Sequence, residues 1–248
     1  MFMGYSNNFY KDIHADALSS AEEIVPFVLK LTGAKSVVDV GCGQGAWLSI
    51  FKKHGTTRIL GLDGAHVSAS SLLIDPDEFR AVDLSRTSES AGKFDLVVSL
   101  EVGEHIPSAS AQAYVTFLTS LAPIVFFSAA IPFQDGTHHV NEQWPDYWAA
   151  LFAERGYMPV DAVRPAFWNN EEVAPWYRQN MLIYVKRDNL VSYPALLEKS
   201  RAVDDRPLSV VHPALYLRSN VRPMGPLWKL LKWLPRLTAL KLLRSLEK

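Results

Sequence analysis

The chain is poor in the features that mark several protein classes. It contains one cysteine, Cys42, among 248 residues, which excludes a disulfide framework and a cysteine-based metal site. No run reaches the ~18 apolar residues of a membrane span, and the N-terminus lacks the basic region and apolar core of a signal peptide. The formal net charge of −1 gives no global reason to expect nucleic acid as a partner. We therefore expect a cytoplasmic protein.

Enough apolar sequence is present for one α/β domain with additions. Apolar residues make up 48% of the chain, which is ample for a core at this length. Strand and helix patterns alternate over residues 36–131, which predicts a mostly parallel sheet. The predicted strands cover residues 37–40, 58–63, 79–84, 94–101, 124–129, 157–164 and 180–187. The predicted helices cover residues 17–31, 108–122 and 144–155, with an N-terminal arm at 1–16 and loops at 132–142 and 165–179.

A glycine-rich turn follows the first predicted strand. The strand is rich in valine, which suits a buried parallel strand, and Gly41, Gly43 and Gly45 follow it. Glycines let the backbone approach a ligand closely, and the helix that begins after them points N–H groups at it. Asp39 before the turn favours a cationic ligand group over a pyrophosphate. Cys42, between two glycines, is interpreted as a small space-filling residue.

The second and third predicted strands also end in acidic residues. Asp63, followed by Gly64, lies 18 residues beyond Gly45, a distance that suits hydrogen bonds to ribose hydroxyls. Asp83 is placed to accept from an adenine amino group, while Leu84 packs on the ring. The pattern predicts a nucleoside-type site along the carboxyl ends of the strands.

These strand ends resemble a class I S-adenosylmethionine (SAM)-dependent methyltransferase over residues 20–187. The resemblance implies a Rossmann-like fold of seven strands, mostly parallel with the last antiparallel, flanked by helices, and SAM as cofactor. The positions that it assigns to SAM are Asp39, Gly41, Cys42, Gly43, Gly45, Asp63, Gly64, Asp83, Leu84, Leu100 and Glu101. Two alternatives stay open: a Rossmann-like domain for another nucleotide, and a nicotinamide-linked oxidoreductase, which Asp39 disfavours.

A Glu-x-x-Glu-His stretch follows the fourth predicted strand and is similar to one in many small-molecule methyltransferases. Glu101 and His105 are four residues apart, so on a helical turn they share a face, and Glu101 is expected to orient the His105 imidazole. The alternative is that Glu104 and His105 cap the next helix. Both interpretations stay open from the sequence.

A dense polar and aromatic stretch follows the fifth predicted strand. It resembles a His-x-Asn-Glu-Gln-Trp element of bacterial SAM methyltransferases associated with sugar acceptors. The resemblance makes His139 the first candidate for a general base and His105 the second, because an imidazole near pKa ~6.5 can take a hydroxyl proton. The residues predicted to contact the substrate are His138, Asn141, Glu142, Trp144 and Trp168. Trp144 lies at the edge of the loop, where core packing is equally compatible.

A divalent metal ion is an alternative for the same stretch. Asp135, His138, His139 and Glu142 carry side chains that ligate Mg²⁺ or Mn²⁺. Their spacing does not require a metal, and the favoured prediction is a site without one.

The last segment differs from the rest in charge. Residues 222–248 carry seven Lys or Arg residues and one Glu, a net charge of +6, with leucines on one helical face. The domain is predicted to end at 187, and residues 188–248 to form an extension that ends in this basic amphipathic segment. Such a helix can lie on the anionic inner face of a membrane, or pack on its own domain or on a second subunit in an oligomer.

The predicted function is SAM-dependent O-methylation of a sugar hydroxyl, in a bacterial surface glycan or its lipid-linked precursor. Two other functions fit part of the pattern. One is methylation of a quinone, lipid or natural product, which the Glu-x-x-Glu-His stretch fits equally well. The other is a non-catalytic scaffold, which the intact acids at Asp39, Asp63 and Asp83 disfavour.

Overall fold

A computed structural model describes residues 7–84, 91–134, 136–201 and 207–220. The chain divides into two units, residues 1–212 and 213–248. The described part of the second unit is one helix, Pro213–Asn220. The arm residues 1–6 and the basic segment 222–248 lie outside the described residues. No helix among those described is both long and apolar enough to cross a bilayer.

The first unit is built on one seven-stranded sheet. Its strands are β1 (Ser36–Val40), β2 (Arg58–Asp63), β3 (Phe79–Ala81), β4 (Leu96–Leu100), β5 (Ile124–Ser128), β6 (Tyr157–Val160) and β7 (Leu182–Lys186). Their spatial order is β3-β2-β1-β4-β5-β7-β6. β7 runs antiparallel to β5 and β6, and the pairs among β1 to β5 are parallel. The predicted fold class is confirmed.

The described residues contain eight α-helices, seven in the first unit and one in the second. They are α1 (Asn7–Thr32), α2 (Ala46–Lys53), α3 (Ala111–Leu121), α4 (Pro145–Glu154), α5 (Val163–Phe167), α6 (Pro175–Asn180), α7 (Pro194–Arg201) and α8 (Pro213–Asn220). The predicted end of the helix at 144–155 is confirmed, since Gly156 takes the left-handed conformation at φ 77° that suits a helix C-terminus.

Alternate residues of each strand face opposite sides of the sheet and bury two cores. Val37, Leu96 and Phe126 face the core that contains side chains of α1, α2, α5, α6 and α7. Val38 and Val97 face the core beneath α3 and α4. Because both faces are covered, the central strands are mostly apolar, and their polar residues Asp39, Ser99 and Ser128 are also buried. Leu196 in α7, beyond the predicted domain end at 187, lies in the first of these cores.

Three local predictions were wrong. α1 begins at Asn7, so a helix occupies part of the predicted arm at 1–16. The predicted loop at 165–179 contains the end of α5 and most of α6, and α6 begins at Pro175, whose fixed φ suits the first helical position. β3 ends at Ala81, two residues short of Asp83.

Candidate active site at the carboxyl ends of the strands

The glycine turn after β1 has the backbone shape that only glycine adopts easily. Gly41 has φ 86° and Gly45 φ 84°, and the amide of Gly41 donates to the carbonyl of Leu62 at 2.7 Å. A Cβ on Gly41 would lie 2.3 Å from Cγ2 of Val102. The turn after β1 therefore packs directly against the turn after β4, which brings two predicted parts of the site together.

Asp63 holds the same turn from the end of β2. Its Oδ2 accepts from the Gly43 amide and its Oδ1 from the Gly64 amide, both at 2.6 Å. The side chain of Asp63 is 12% exposed, and the His66 imidazole lies 3.7 Å away. Each carboxylate oxygen has a second lone pair, so Asp63 can brace the turn and still accept from a ligand hydroxyl.

Asp39 and Cys42 are buried beside this carboxylate. Burial, followed by the negative charge of Asp63, raises the pKa of Asp39 well above its usual value. Burial also raises the pKa of the Cys42 thiol, and the charges of Asp39 and Asp63 add to the effect. Cys42 is therefore a protonated thiol with no nucleophilic character at neutral pH. The Asp39 carboxylate has a strong preference for a cationic partner.

The predicted adenine contacts lie past the short third strand. Asp83 is exposed and Leu84 is half-buried, and Leu84 packs against the core beneath α3 and α4. The amide of Val82 donates to the carbonyl of Asp63 at 2.8 Å. This bond keeps the segment next to the end of β2.

Glu101 follows Leu100 at the end of β4 and has a left-handed backbone with φ 55°. Its amide donates to the carbonyl of Ser128, 3.0 Å away. Its carboxylate accepts from Gln134 Nε2 at 3.0 Å and from Asn180 Nδ2 at 3.1 Å. Burial raises the pKa of Glu101, and the hydrogen bond from Asn180 is the largest opposing influence.

The predicted pairing of Glu101 with His105 was wrong. Residues Gly103–His105 form a 3₁₀ turn, so the four-residue spacing does not place both side chains on one face. The Nδ1 of His105 lies 3.2 Å from the carbonyl oxygen of His138 instead. The capping alternative was also wrong, because the next α-helix begins only at Ala111.

Glu104 is the most deeply buried acid of this turn, at 1% exposure. Burial, followed by the charge of Glu101, raises the pKa of Glu104 well above its usual value. The carbonyl of Glu104 accepts from the amides of Val140 and Asn141 at 2.9 and 3.0 Å. These two bonds fix the loop after β5 against the turn after β4.

His139 lies between two carboxylates. Its Nδ1 is 2.8 Å from Oε1 of Glu142, and its Nε2 is 3.9 Å from Oε1 of Glu104. The ring is edge-on to that of His105, with centroids 5.0 Å apart. The side chain is 13% exposed. The structure therefore brings together both predicted bases, His139 and His105, with Glu104 beneath them.

The predicted substrate contacts fall into different places. Glu142 joins the cluster through His139, and its Oε2 accepts from the Phe133 amide at 2.8 Å. His138 is exposed, and Trp144 is 40% exposed at the start of α4. Asn141 is 3% exposed, so it lies beneath the loop. The ring of Trp168 packs on that of His212, 4.5 Å between centroids.

The structure gives a different candidate metal set from the one predicted. Asp135 lies outside the described residues, and Glu142 contacts His139 through Nδ1. In the part of the chain that the structure describes, the side chains whose ligand atoms all lie within 4.8 Å of one another are Glu104, His105 and His139.

The amides that surround Glu101 were not predicted from the sequence. Gln134 and Asn180 donate to it, and Gln179 Nε2 donates to Gln134 Oε1 at 3.2 Å. Gln179 and Asn180 are 1% and 3% exposed. The sequence does contain a signal for them, because Gln179 and Asn180 directly precede an apolar strand. Amides buried at the end of a strand need hydrogen-bond partners.

Comparisons with known proteins show the family and the fold. Residues 14–170 match a family model described as a methyltransferase domain. The ubiquinone biosynthesis O-methyltransferase of Bartonella bacilliformis is 29% identical over 90 residues, which are 33% of this chain and 35% of that protein. The enzyme of the same description from Rhizobium etli is 28% identical over 97 residues, 36% of each protein. The chain thus spans about a third of the length of these curated relatives.

Two solved structures share the fold at low identity. A sugar N-methyltransferase from a Streptoalloteichus species is 15% identical, with 75% of this chain and 94% of that chain covered and a TM-score of 0.56. A SAM-bound amino pentose methyltransferase from Micromonospora echinaspora is 16% identical, with 75% and 98% covered and a TM-score of 0.53.

Proposed function

The chain belongs to the family of methyltransferase domains, and we propose that it transfers the methyl group of SAM to a sugar hydroxyl. The acceptor would be part of a bacterial surface glycan or of its lipid-linked precursor. The observation that carries the proposal is the turn after β4, where Val102 packs against the glycine turn and Glu104 lies beside His139. The glycine turn that we propose for the nucleoside and the polar cluster with imidazoles thereby share one edge of the sheet.

The glycine turn and its acids form the proposed donor half of the site. Asp63 has lone pairs left for ribose hydroxyls after it accepts from Gly43 and Gly64. The buried Asp39 carboxylate suits a ligand that carries positive charge, as the ammonium and sulfonium of SAM do. The neighbouring amino pentose methyltransferase holds SAM in its structure, which supports the same cofactor here.

The reaction needs positioning and removal of one proton. The acceptor oxygen attacks the methyl carbon in line, the S–C bond electrons stay on sulfur, and S-adenosylhomocysteine leaves. With Nδ1 of His139 donating to Glu142, its Nε2 carries the lone pair that can take the hydroxyl proton. His139 is the first candidate for this role, and His105 the second.

Two kinds of relative support the proposed acceptor, one for the accepting atom and one for the class of molecule. The curated relatives are O-methyltransferases of ubiquinone biosynthesis, which supports oxygen as the accepting atom. The sugar N-methyltransferase and the amino pentose enzyme support a sugar. A ring hydroxyl of a quinone precursor is the second candidate acceptor, and the curated relatives are the observation that favours it.

Titration calorimetry tests the donor half. We expect micromolar binding of SAM and S-adenosylhomocysteine, no binding of NAD, and loss of SAM binding in Asp63→Ala. Asp77→Ala, at an exposed acid, is the matched control and should bind as the native chain does. NAD binding without SAM binding would replace the proposal with an oxidoreductase.

An acceptor screen tests the other half. Purified chain and methyl-labelled SAM are incubated with nucleotide sugars, lipid-linked oligosaccharides, finished glycans and a catechol-type quinone precursor. Label in a sugar O-methyl group supports the proposal. Label only in the quinone precursor supports the second candidate, and SAM binding without transfer to any acceptor favours the scaffold function.

A further inference from the structure

We propose that Glu104, His105 and His139 hold a divalent metal ion that binds the acceptor hydroxyl. One ligand atom from each of the three lies within 4.8 Å of the others, close enough for one ion to bind all three after small side-chain shifts. Glu104 and His105 come from the turn after β4, and His139 comes from the loop after β5. Backbone hydrogen bonds between Glu104 and residues 140 and 141 hold the two segments together.

Both imidazoles are oriented as metal ligands are. The carbonyl oxygen of His138 can only accept, so Nδ1 of His105 carries the proton in their 3.2 Å contact. The carboxylate of Glu142 likewise accepts from Nδ1 of His139 at 2.8 Å. Each ring is left with a lone pair on Nε2. Metal-binding histidines donate their other N–H to a carboxylate or carbonyl in this way.

Glu104 gives a second, independent observation. It is 1% exposed, and its Oε2 is buried without a hydrogen-bond partner in the described parts of the chain. An unsatisfied buried carboxylate oxygen is costly. A cation in the cluster would supply the missing partner and neutralise the charge.

The ligand types indicate which ion binds. Two imidazoles with one carboxylate favour Mn²⁺, Fe²⁺, Co²⁺ or Zn²⁺, whereas Mg²⁺ and Ca²⁺ prefer oxygen ligands alone. Three protein ligands leave coordination positions for solvent or a substrate oxygen. The site is therefore of the kind that activates a hydroxyl.

The metal changes the proposed chemistry of the same site, and this part rests on the proposed function. An ion bound through Nε2 of His139 occupies the lone pair that would otherwise take the proton. The ion instead makes its bound hydroxyl more acidic, and the proton leaves to water. Methyl transfer from SAM then proceeds to the metal-held oxygen.

Metal binding is measured on the full chain without SAM or acceptor, so its outcome is separate from that of methyl transfer. Mn²⁺ is titrated by electron paramagnetic resonance, and Zn²⁺ and Mg²⁺ by calorimetry. We expect one site per chain, with Mn²⁺ and Zn²⁺ bound more tightly than Mg²⁺. His105→Gln and His139→Gln should each lose at least about tenfold in Mn²⁺ affinity, and Glu142→Gln about 10–100-fold.

His54→Gln is the matched control, because His54 lies at the end of α2 and pairs with Glu22. It should bind Mn²⁺ as the native chain does. Circular dichroism checks that each variant folds. If His139→Gln does not fold, the test rests on His105→Gln, because His105 is exposed. Binding of Mn²⁺ and Zn²⁺ only at millimolar concentration, or equal affinity in the native and His105→Gln chains, would overturn the proposal.

Discussion

The side-chain amide of Asn180 donates to the carboxylate of Glu101 at 3.1 Å, although 79 positions separate the two residues. β7 runs antiparallel to β5 and pairs Leu182 with Phe127. The beginning of β7 therefore lies at the edge where β4 and β5 end. Asn180, just before β7, reaches Glu101 although β5 lies between β7 and β4 in the sheet. Gln134 from the loop after β5 completes the contact.

Asn180→Ala should weaken the enzyme most at acidic pH. The Asn180 hydrogen bond lowers the pKa of Glu101 against the effect of burial, so its removal raises that pKa. We expect the carboxylate form of Glu101 to be the active one, so the acidic limb of kcat/KM should move to higher pH, with a loss of about tenfold at pH 6 for the removal of one charged hydrogen bond. Asn169→Ala, at an exposed asparagine, should leave the profile unchanged. A pH-independent loss would contradict the prediction.

Asp39→Asn should stabilise the ligand-free chain while weakening SAM binding. The pKa of Asp39 is raised in the folded state. Above the pKa of ~3.9 in the unfolded state, the unfolded chain loses this proton more readily than the folded chain, so Asp39 lowers the free energy of unfolding as the pH rises. Denaturant unfolding should show a gain on the order of 1 kcal/mol or more near pH 7, and none below about pH 3.5. SAM affinity should fall about tenfold. A variant less stable than the native chain at pH 7 would contradict the prediction, because it would show that the folded protein stabilises the Asp39 carboxylate.

Gly41→Ala should be far more destabilising than Gly33→Ala. Both glycines have positive φ, but a Cβ on Gly33 has open space while one on Gly41 meets Val102 at 2.3 Å. Gly33→Ala should cost about 1 kcal/mol of unfolding free energy, and Gly41→Ala about 2 kcal/mol or more. Adding Val102→Ala should restore part of the difference. An equal loss of unfolding free energy in the two variants would contradict the prediction, because it would show that the positive φ and not the contact with Val102 destabilises the Gly41 variant.

Gly136→Ala should impair the site without unfolding the chain. A Cβ on Gly136 would lie 2.2 Å from Nε2 of His139, so the ring must move. Methyl transfer should fall roughly 100-fold, as for other ~1 Å displacements of a reacting group. The free energy of unfolding should change by about 0.5 kcal/mol or less, because the position is exposed. Thr137→Ala, at the next exposed residue, is the control for both measurements.

Deletion of residues 222–248 should abolish binding to vesicles that contain anionic lipid. The segment carries a net charge of +6, and binding by the intact chain should weaken as salt rises. Neutral phosphatidylcholine vesicles are the control, and sedimentation measures the bound fraction. Unchanged binding after the deletion would contradict the prediction. A lower Tm with no vesicle binding by either chain would favour packing on protein.

The sequence determined the order of the strands along the chain and the chemistry at their ends. Buried parallel strands are runs of apolar residues, and positive φ favours glycine, so both signals are local. For these reasons the glycine turn at 41–45 and the acids Asp39 and Asp63 could be placed before any contact was known. The family resemblance supplied the antiparallel last strand.

Only the tertiary structure decided which polar side chains meet. A four-residue spacing predicted Glu101 with His105, but a left-handed residue and a 3₁₀ turn separate them. The antiparallel β7 brings Asn180 to Glu101, and the loop after β5 brings His139 to Glu104 and His105. Such contacts depend on backbone turns and on the pairing of distant strands, which side-chain type and spacing do not encode.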